Sequence, residues 1–329
     1  MPSSAEIMQQ SQSAYRQWCE QWRSQSKENS KHPMKNLSDF QNYGIGKAML
    51  LIANGGSLDL QLDTIKEHQE NVDIMCCDKS LGYLIDNGIT PDFCMVCDAN
   101  VDYYKYMKPW ADKLKNTVMF MNVCANPQWA DNGSWKDKYF FVNKDILKSE
   151  EEFCGISGCK NVVPAGTNVS NAMVVFLSQS DNNGRRNFFG YDKYLLSGFD
   201  YSWSDETNYY AGDKEASGKR NYMKHQYMTH LNGNMCYTSN NLIFSARWLD
   251  QYVQTFKLPV VQTTKHSIFG SAYQGDLAEQ MKYSYKKDDK LVVKDLLKKK
   301  RKLAQELRGL ENKLASIGED HFFNTLKTV

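Results

Sequence analysis

The chain has 329 residues, 41% of them hydrophobic, enough for one large α/β domain with appendages or for two domains. Its 40 basic and 38 acidic side chains nearly cancel, so global charge argues against a nucleic-acid partner and for no general membrane affinity. No apolar run approaches the roughly 20 residues of a membrane helix, and the start, MPSSAEIMQQ, lacks the basic and apolar regions of a secretory signal. Nine cysteines, an odd number scattered through apparent core strands, read as reduced thiols of a cytoplasmic protein.

Residues 1–46 are polar. Tyr15, Trp18, Cys19 and Trp22 recur at helical spacing, which predicts an amphipathic helix packed on the main body. The Ser-, Lys- and Asn-rich stretch 24–38 reads as a linker.

The stretch KAMLLIANGGSLD, 47–59, organises the rest of the chain. Met49 to Ala53 is an apolar run of strand length that meets a tight turn at Asn54-Gly55-Gly56. Ser57 stands where a helix N-cap belongs, and Leu58, Leu60, Leu62 and Ile65 supply an apolar face for a following helix. Such a unit gathers free amides and a positive helix end at one point, which suits phosphate. It matches neither GxGxxG nor GxxxxGK[ST], so a nicotinamide or Walker-type site is not supported.

Strands are predicted at Val72–Cys77, Phe93–Cys97, Thr117–Val123, Tyr139–Asn143 and Tyr194–Phe199. A helix over 79–87 stops at Gly88, and Gly166-Thr167-Asn168 opens another whose apolar side carries Val169, Ala172, Met173, Phe176 and Leu177. The fold class is therefore α/β and Rossmann-like: a mainly parallel sheet with helices on both faces, plus an N-terminal helix and a long C-terminal amphipathic helix. Ligands collect at strand carboxyl ends in such sheets. Asp78, Asp98 and Asp200 all fall there, either as helix caps or as polar contacts of a pocket. The same three can alternatively hold Mg²⁺ with substrate phosphates. Cys94 and Cys97 have CxxC spacing but lie on a strand, where residues three apart face opposite sides, so no metal site is assigned to them.

Residues 201–238 form a polar, aromatic-rich insertion containing Tyr201, Tyr209, Tyr210, Tyr222 and Tyr227, read as a lid or as an ordinary surface excursion. His225, His230 and His266 are candidate bases, with Asp98 a further one. In the tail, Val293, Leu296, Leu303, Leu307, Leu310, Leu314 and Ile317 follow 4-3 spacing, a coiled-coil pattern that predicts a homo-oligomer. Between 294 and 313, eight basic against three acidic side chains leave +5, and KKKRK at 298–302 offers a contact for an acidic partner or anionic membrane surface as well as a solvated face. The expected division is 1–46, helix and linker; 47–270, the Rossmann-like domain; and 271–329, the helical tail.

Four stretches in order carry a family resemblance. IANGGSL (52–58) resembles the glycine turn of bacterial sialyltransferases and of the motility accessory factor family, which share a Rossmann-like domain with the MptE-like 6-hydroxymethylpterin diphosphokinases. DKSLGYLIDNGITPDFCMVCDAN (78–100), AGTNVSNAMVVFLS (165–178) and KYLLSGFDYSW (193–203) resemble three further stretches of that superfamily. The resemblance implies a glycosyltransferase-like enzyme moving a sialic-acid-like sugar from a CMP-activated donor to a hydroxyl of a glycan or protein acceptor. It implies no required cofactor. Asn54, Gly55, Gly56 and Ser57 would cradle the phosphate, and Asp78, Gly166, Thr167, Asn168, Asp200 and Tyr201 would complete the donor pocket. The sialyltransferase histidine aligns with Tyr237, seven residues after His230, so Asp98, His230 and Tyr237 are the catalytic candidates. A Mg²⁺-dependent pterin diphosphokinase and a non-catalytic assembly protein are the competing readings.

Overall fold

Five consecutive apolar residues make Ala48–Ile52, strand β1, suitable for burial on both faces, and it lies inside the sheet. The computed structural model describes residues 4–144, 147–180, 187–204, 206–207, 209–212, 226–270, 272–282, 284 and 306. Along the chain the strands are β1, β2 (Asp73–Cys77), β3 (Phe93–Val96), β4 (Val118–Asn122), β5 (Asp137–Lys144), β6 (Val162–Pro164), β7 (Lys193–Ser197), β8 (Gln226–Thr229), β9 (Met235–Thr238), β10 (Val260–Gln262) and β11 (Tyr273–Gln274). Nine of them form one sheet in the order β11-β10-β7-β1-β2-β3-β4-β5-β6, and every neighbouring pair is parallel. Strands β8 and β9 form a separate antiparallel ribbon.

Side chains alternate across the sheet as strand geometry requires. Leu50, Ile52, Ile74, Cys76, Cys94 and Val96 fill one core; Met49, Leu51, Met75, Cys77, Phe93 and Met95 fill the other. The first core is closed by α2 (Leu62–His68), α3 (Asp78–Asp86), the short α4 (Tyr103–Tyr106) and α5 (Gln128–Asn132), and α6 (Glu150–Ser157). The second is closed by α7 (Val169–Ser178) and α8 (Asn240–Phe256), while α9 (Leu277–Lys282) returns to the first. Helices therefore cover both faces, as the alternating pattern predicts. Cys94 is in the first core and Cys97 packs on the second, and all nine cysteines are free thiols.

The N-terminal helix α1 (Ser4–Asn29) packs along α6. Tyr15 and Arg23 both bond Glu152, and Trp22 meets Phe153 edge-on at 6.4 Å. The helix outlasts the linker expected from residue 24. Its last turns are held by side chains no periodicity shows: Gln25 Nε2 donates to the Ala99 carbonyl, and Asn29 Nδ2 to those of Val123 and Ala125, each at 2.9 Å. This segment belongs to one compact unit, Met1–Tyr285.

Two further boundaries differ from expectation. Ser57 is not an α-helix cap; Gly56–Leu60 is a 3-10 turn capped by Gly55, α2 starts only at Leu62, and Leu60 is 60% exposed. Strand β7 ends at Ser197, short of Phe199, because Gly198 turns with φ +69°. Lys286–Val329 is a second unit, in which only Glu306, a helical residue, is described. The amphipathic pattern of the tail and KKKRK otherwise lie outside the described residues. No helix among the described residues is long and apolar enough to cross a membrane.

Candidate functional site

The chain lays down β1 to β6 outward in one direction and then returns β7 to the other flank of β1. Loops leaving β1 and β7 diverge at that reversal, which opens a crevice at the carboxyl edge. A cavity of about 180 Å³ lies there. Asn54 and Gly55 after β1, Lys79 of α3, Asn168 to Ser170 at the start of α7, Gly198 to Ser202 after β7, and Tyr209 and Tyr210 of the insertion line it. A second cavity of about 320 Å³ holds Tyr83, Asp86, Lys105, Tyr106 and Trp110. Asn54, Lys79 and Tyr210 line both, so the two form arms of one cleft.

The glycine turn beneath the cleft is closed by the protein itself. Asp200 Oδ2 accepts the Ser57 amide at 2.8 Å, Oδ1 accepts the Ser57 hydroxyl at 2.5 Å, and the Gly55 amide donates to the Gly198 carbonyl. A Cβ on Gly55 would stand 2.5 Å from that carbonyl and 2.6 Å from Asp200 Oδ2. The phosphate cradle expected at Gly55, Gly56 and Ser57 is thus corrected. The Ser57 donors are taken by the Asp200 carboxyl and the Gly55 amide by the Gly198 carbonyl, and Gly56 and Ser57 are buried outside the cleft lining. Burial pushes the Asp200 carboxyl up to about 7, against the lowering pull of the Ser57 hydroxyl and amide.

Lys79 supplies the positive charge that the turn does not. Burial alone would lower its ammonium, but Tyr210, Asp78, Tyr106 and Asp98 outweigh it and raise it, so the side chain stays charged. Its Nζ lies 5.7 Å from the Tyr210 ring centre. Asp78 is buried beside it and does not line the cleft; Oδ1 accepts the Lys79 amide at 2.8 Å, and Oδ2 has no protein partner. Burial raises this carboxyl to about 6. The insertion begins by seating on the turn: the Ala211 amide donates to the Asn54 carbonyl and the Gly212 amide to Asp59. That places Tyr209 and Tyr210 over the cleft.

At the start of α7, Asn168 caps the helix by accepting the Asn171 amide at 2.8 Å. Asn171 is a buried hub: its amide donates to Thr167 Oγ1 and the Ser245 carbonyl, and its Oδ1 accepts the Tyr201 hydroxyl. Thr167 therefore positions the helix instead of lining the cleft. Gly166 does the same, because a Cβ there would stand 2.4 Å from the Ala172 nitrogen.

The candidate bases do not converge on the cleft. His230 is 3% exposed, with Nε2 at 2.9 Å from Ser202 Oγ; burial and His266 push it down to about 4. His266 sits 3.6 Å from Glu206. Tyr237 stacks on Trp203 and bonds it through the backbone in the β8–β9 ribbon. Tyr222 and His225 lie outside the described residues. Asp98 is exposed, accepts the Asn100 amide, and lines a third cavity under α1. The three aspartates thus diverge, and among the described residues no group of three or more His, Cys, Asp or Glu is placed to hold a metal.

Gly82 admits Trp110 onto α3; an added Cβ would meet its ring at 2.4 Å. Gly82→Ala gains about 1 kcal/mol of helix propensity, while displacing a packed ring costs about 1–3 kcal/mol. The expected result is a lower urea midpoint, with loss of the 2.7 Å Trp110–Asp86 bond read from tryptophan emission.

A family model described as "6-hydroxymethylpterin diphosphokinase MptE-like" matches residues 20–206, more than half of the chain. The chain belongs to the MptE-like family. No curated protein matches this MptE-like chain. Its fold is that of a solved MAf glycosyltransferase from Magnetospirillum magneticum AMB-1, at a TM-score of 0.58 and 14% identity, covering 85% of this chain and 41% of that one. The MptE-like chain spans about two fifths of that glycosyltransferase. At this identity the likeness shows the fold, and the cleft residues must be read from this chain alone.

Proposed function

We propose that this MptE-like protein is a transferase of the glycosyltransferase kind, moving a sugar from a nucleotide-activated donor, CMP-linked and sialic-acid-like, to an acceptor hydroxyl. The observation that carries the reading is the cleft at the strand reversal, whose two arms share Lys79, Asn54 and Tyr210. An anionic phosphate fits at the shared ammonium. The aromatic arm of Tyr83, Tyr106 and Trp110 suits a base, and the arm beside Asp200, Tyr201 and the start of α7 suits the sugar.

In the reaction the acceptor oxygen bonds the anomeric carbon as the bond from that carbon to the phosphate oxygen breaks. The electron pair leaves with the nucleotide, where Lys79 and the hydroxyls of Tyr209 and Tyr210 meet the developing charge. The hydroxyl proton goes to a carboxylate; Asp98, outside the cleft lining at the tip of β3, takes that role for an acceptor seated in the cavity it lines. The family description favours one competing reading, a pterin diphosphokinase using ATP and Mg²⁺.

Calorimetric titration separates the two. Heat with CMP in the presence of a chelator supports the transferase reading. Heat with ATP and Mg²⁺ but none with CMP overturns it.

A further inference from the structure

The third cavity has a chemistry opposite to that of the cleft. It encloses about 300 Å³ at the carboxyl ends of β3, β4 and β5, with α1 as its outer wall. Trp18 and Trp22, one helical turn apart, present two half-buried indoles. Facing residues include Asp98, Asn100, Asn122 and Asn143. Among the described residues no lysine, arginine or histidine lines it. The cleft sets Lys79 and Lys105 against Asp86 and Asp200, of which Asp200 is pushed up to about 7 by burial; the charged group among the described residues of this cavity's lining is the Asp98 carboxylate. An anionic ligand would therefore be repelled here and drawn to the cleft. Indole faces beside carboxylate and amide groups fit a molecule with C–H faces and a rim of hydroxyls.

The two sites are also placed to work together. Cys77 ends β2, Lys79 follows it and both border the cleft, while Cys97 and Asp98 follow β3 and border the cavity. Strands β2 and β3 are hydrogen-bonded neighbours, about 5 Å apart. Asp98 is close enough to raise both the Asp78 carboxyl and the Lys79 ammonium. Asp98 thus stands at the edge of the cavity nearer the cleft.

We propose that the cavity between α1 and the tips of β3 to β5 is the acceptor site, and that it takes a neutral, hydroxyl-rich sugar, with Trp18 and Trp22 as its platform and Asp98 accepting a hydrogen bond from the reacting hydroxyl. The proposal rests on the transferase reading but concerns a different set of residues. Helix α1 is then part of the active enzyme, holding substrate as well as covering the sheet.

The test titrates the full chain with neutral methyl glycosides while following tryptophan emission, with glucose 6-phosphate and N-acetylneuraminic acid as anionic controls. CMP binding is measured separately by calorimetry. The expected result is saturable emission change with at least one neutral glycoside that neither anion displaces. Trp18→Ala and the near-isosteric Asp98→Asn should each weaken glycoside binding at least tenfold and leave CMP affinity within twofold. Asp98→Asn guards against misreading a folding defect in the tryptophan variant. If CMP binds and no neutral glycoside does, the acceptor proposal falls while the donor reading stands. Displacement of the glycoside by either anion, or undiminished glycoside binding in both variants, overturns it too. Glycoside binding without CMP binding leaves a sugar site and removes the donor reading.

Discussion

Lys79→Ala is expected to weaken binding of the donor nucleotide by about 10- to 150-fold while moving the denaturation midpoint little. The magnitude follows from what a charge-assisted hydrogen bond contributes, about 1.5–3 kcal/mol. The small stability effect follows from placement: the side chain is half-buried at the start of α3, its contacts with Tyr210 and Asp78 are peripheral to both cores, and alanine is a good helix residue. Lys79→Arg should recover part of the affinity, because the charge is kept and only the reach changes. Calorimetry with CMP, paired with urea unfolding, checks both halves. Undiminished CMP affinity in Lys79→Ala would mean that the anion docks elsewhere and that the shared wall of the two arms is incidental.

The contrast with Ser57 shows where sequence reading ran out. The strands were legible because each is a short apolar run, and parallel strands buried on both faces have that signature. The carboxyl edge was legible from Asp78, Asp98 and Asp200, and the glycine turn from Asn54-Gly55-Gly56. What the turn binds was hidden. Its partner, Asp200, is 143 residues away, and no local spacing reports that a carboxyl from the end of β7 reaches across to the Ser57 amide. Lys79 was missed for the opposite reason. It adjoins Asp78, and only the exit angle of α3 decides which of the two turns toward the cleft. The α1 wall of the third cavity was partly visible, since the spacing of Trp18 and Trp22 marks a packed face. That the same face leaves an opening depends on Gln25 and Asn29 fixing the helix to the β3 and β4 loops.

Asp200 also governs how the protein responds to pH. Its carboxyl titrates near 7 in the folded chain against 3.8 for a free side chain, with burial as the cause. Between those values the native state keeps a proton that the unfolded chain has lost. Stability from this group is therefore complete below about pH 4 and is lost as pH rises to about 7, by roughly 4 kcal/mol in all. Asp78, raised to about 6, acts in the same direction, and His230, lowered to about 4, acts oppositely between about pH 4 and 6.5. The difference between wild type and Asp200→Asn isolates the one group. The amide keeps an oxygen for the Ser57 N–H and offers a donor to its hydroxyl, so the variant should match wild type near pH 4 and exceed it near pH 8. Asp200→Ala strands both Ser57 groups and should cost about 2–4 kcal/mol near pH 4, a cost that shrinks toward pH 8 as the wild-type carboxyl ionises. Parallel curves for wild type and Asp200→Asn would show a carboxyl ionised throughout. The same titration bears on function. A neutral Asp200 can share the cleft with an anionic donor, whereas an ionised one opposes it. CMP binding near pH 7 should therefore draw in a proton, giving a binding heat that varies with the ionisation enthalpy of the buffer, and Asp200→Asn should reduce that dependence.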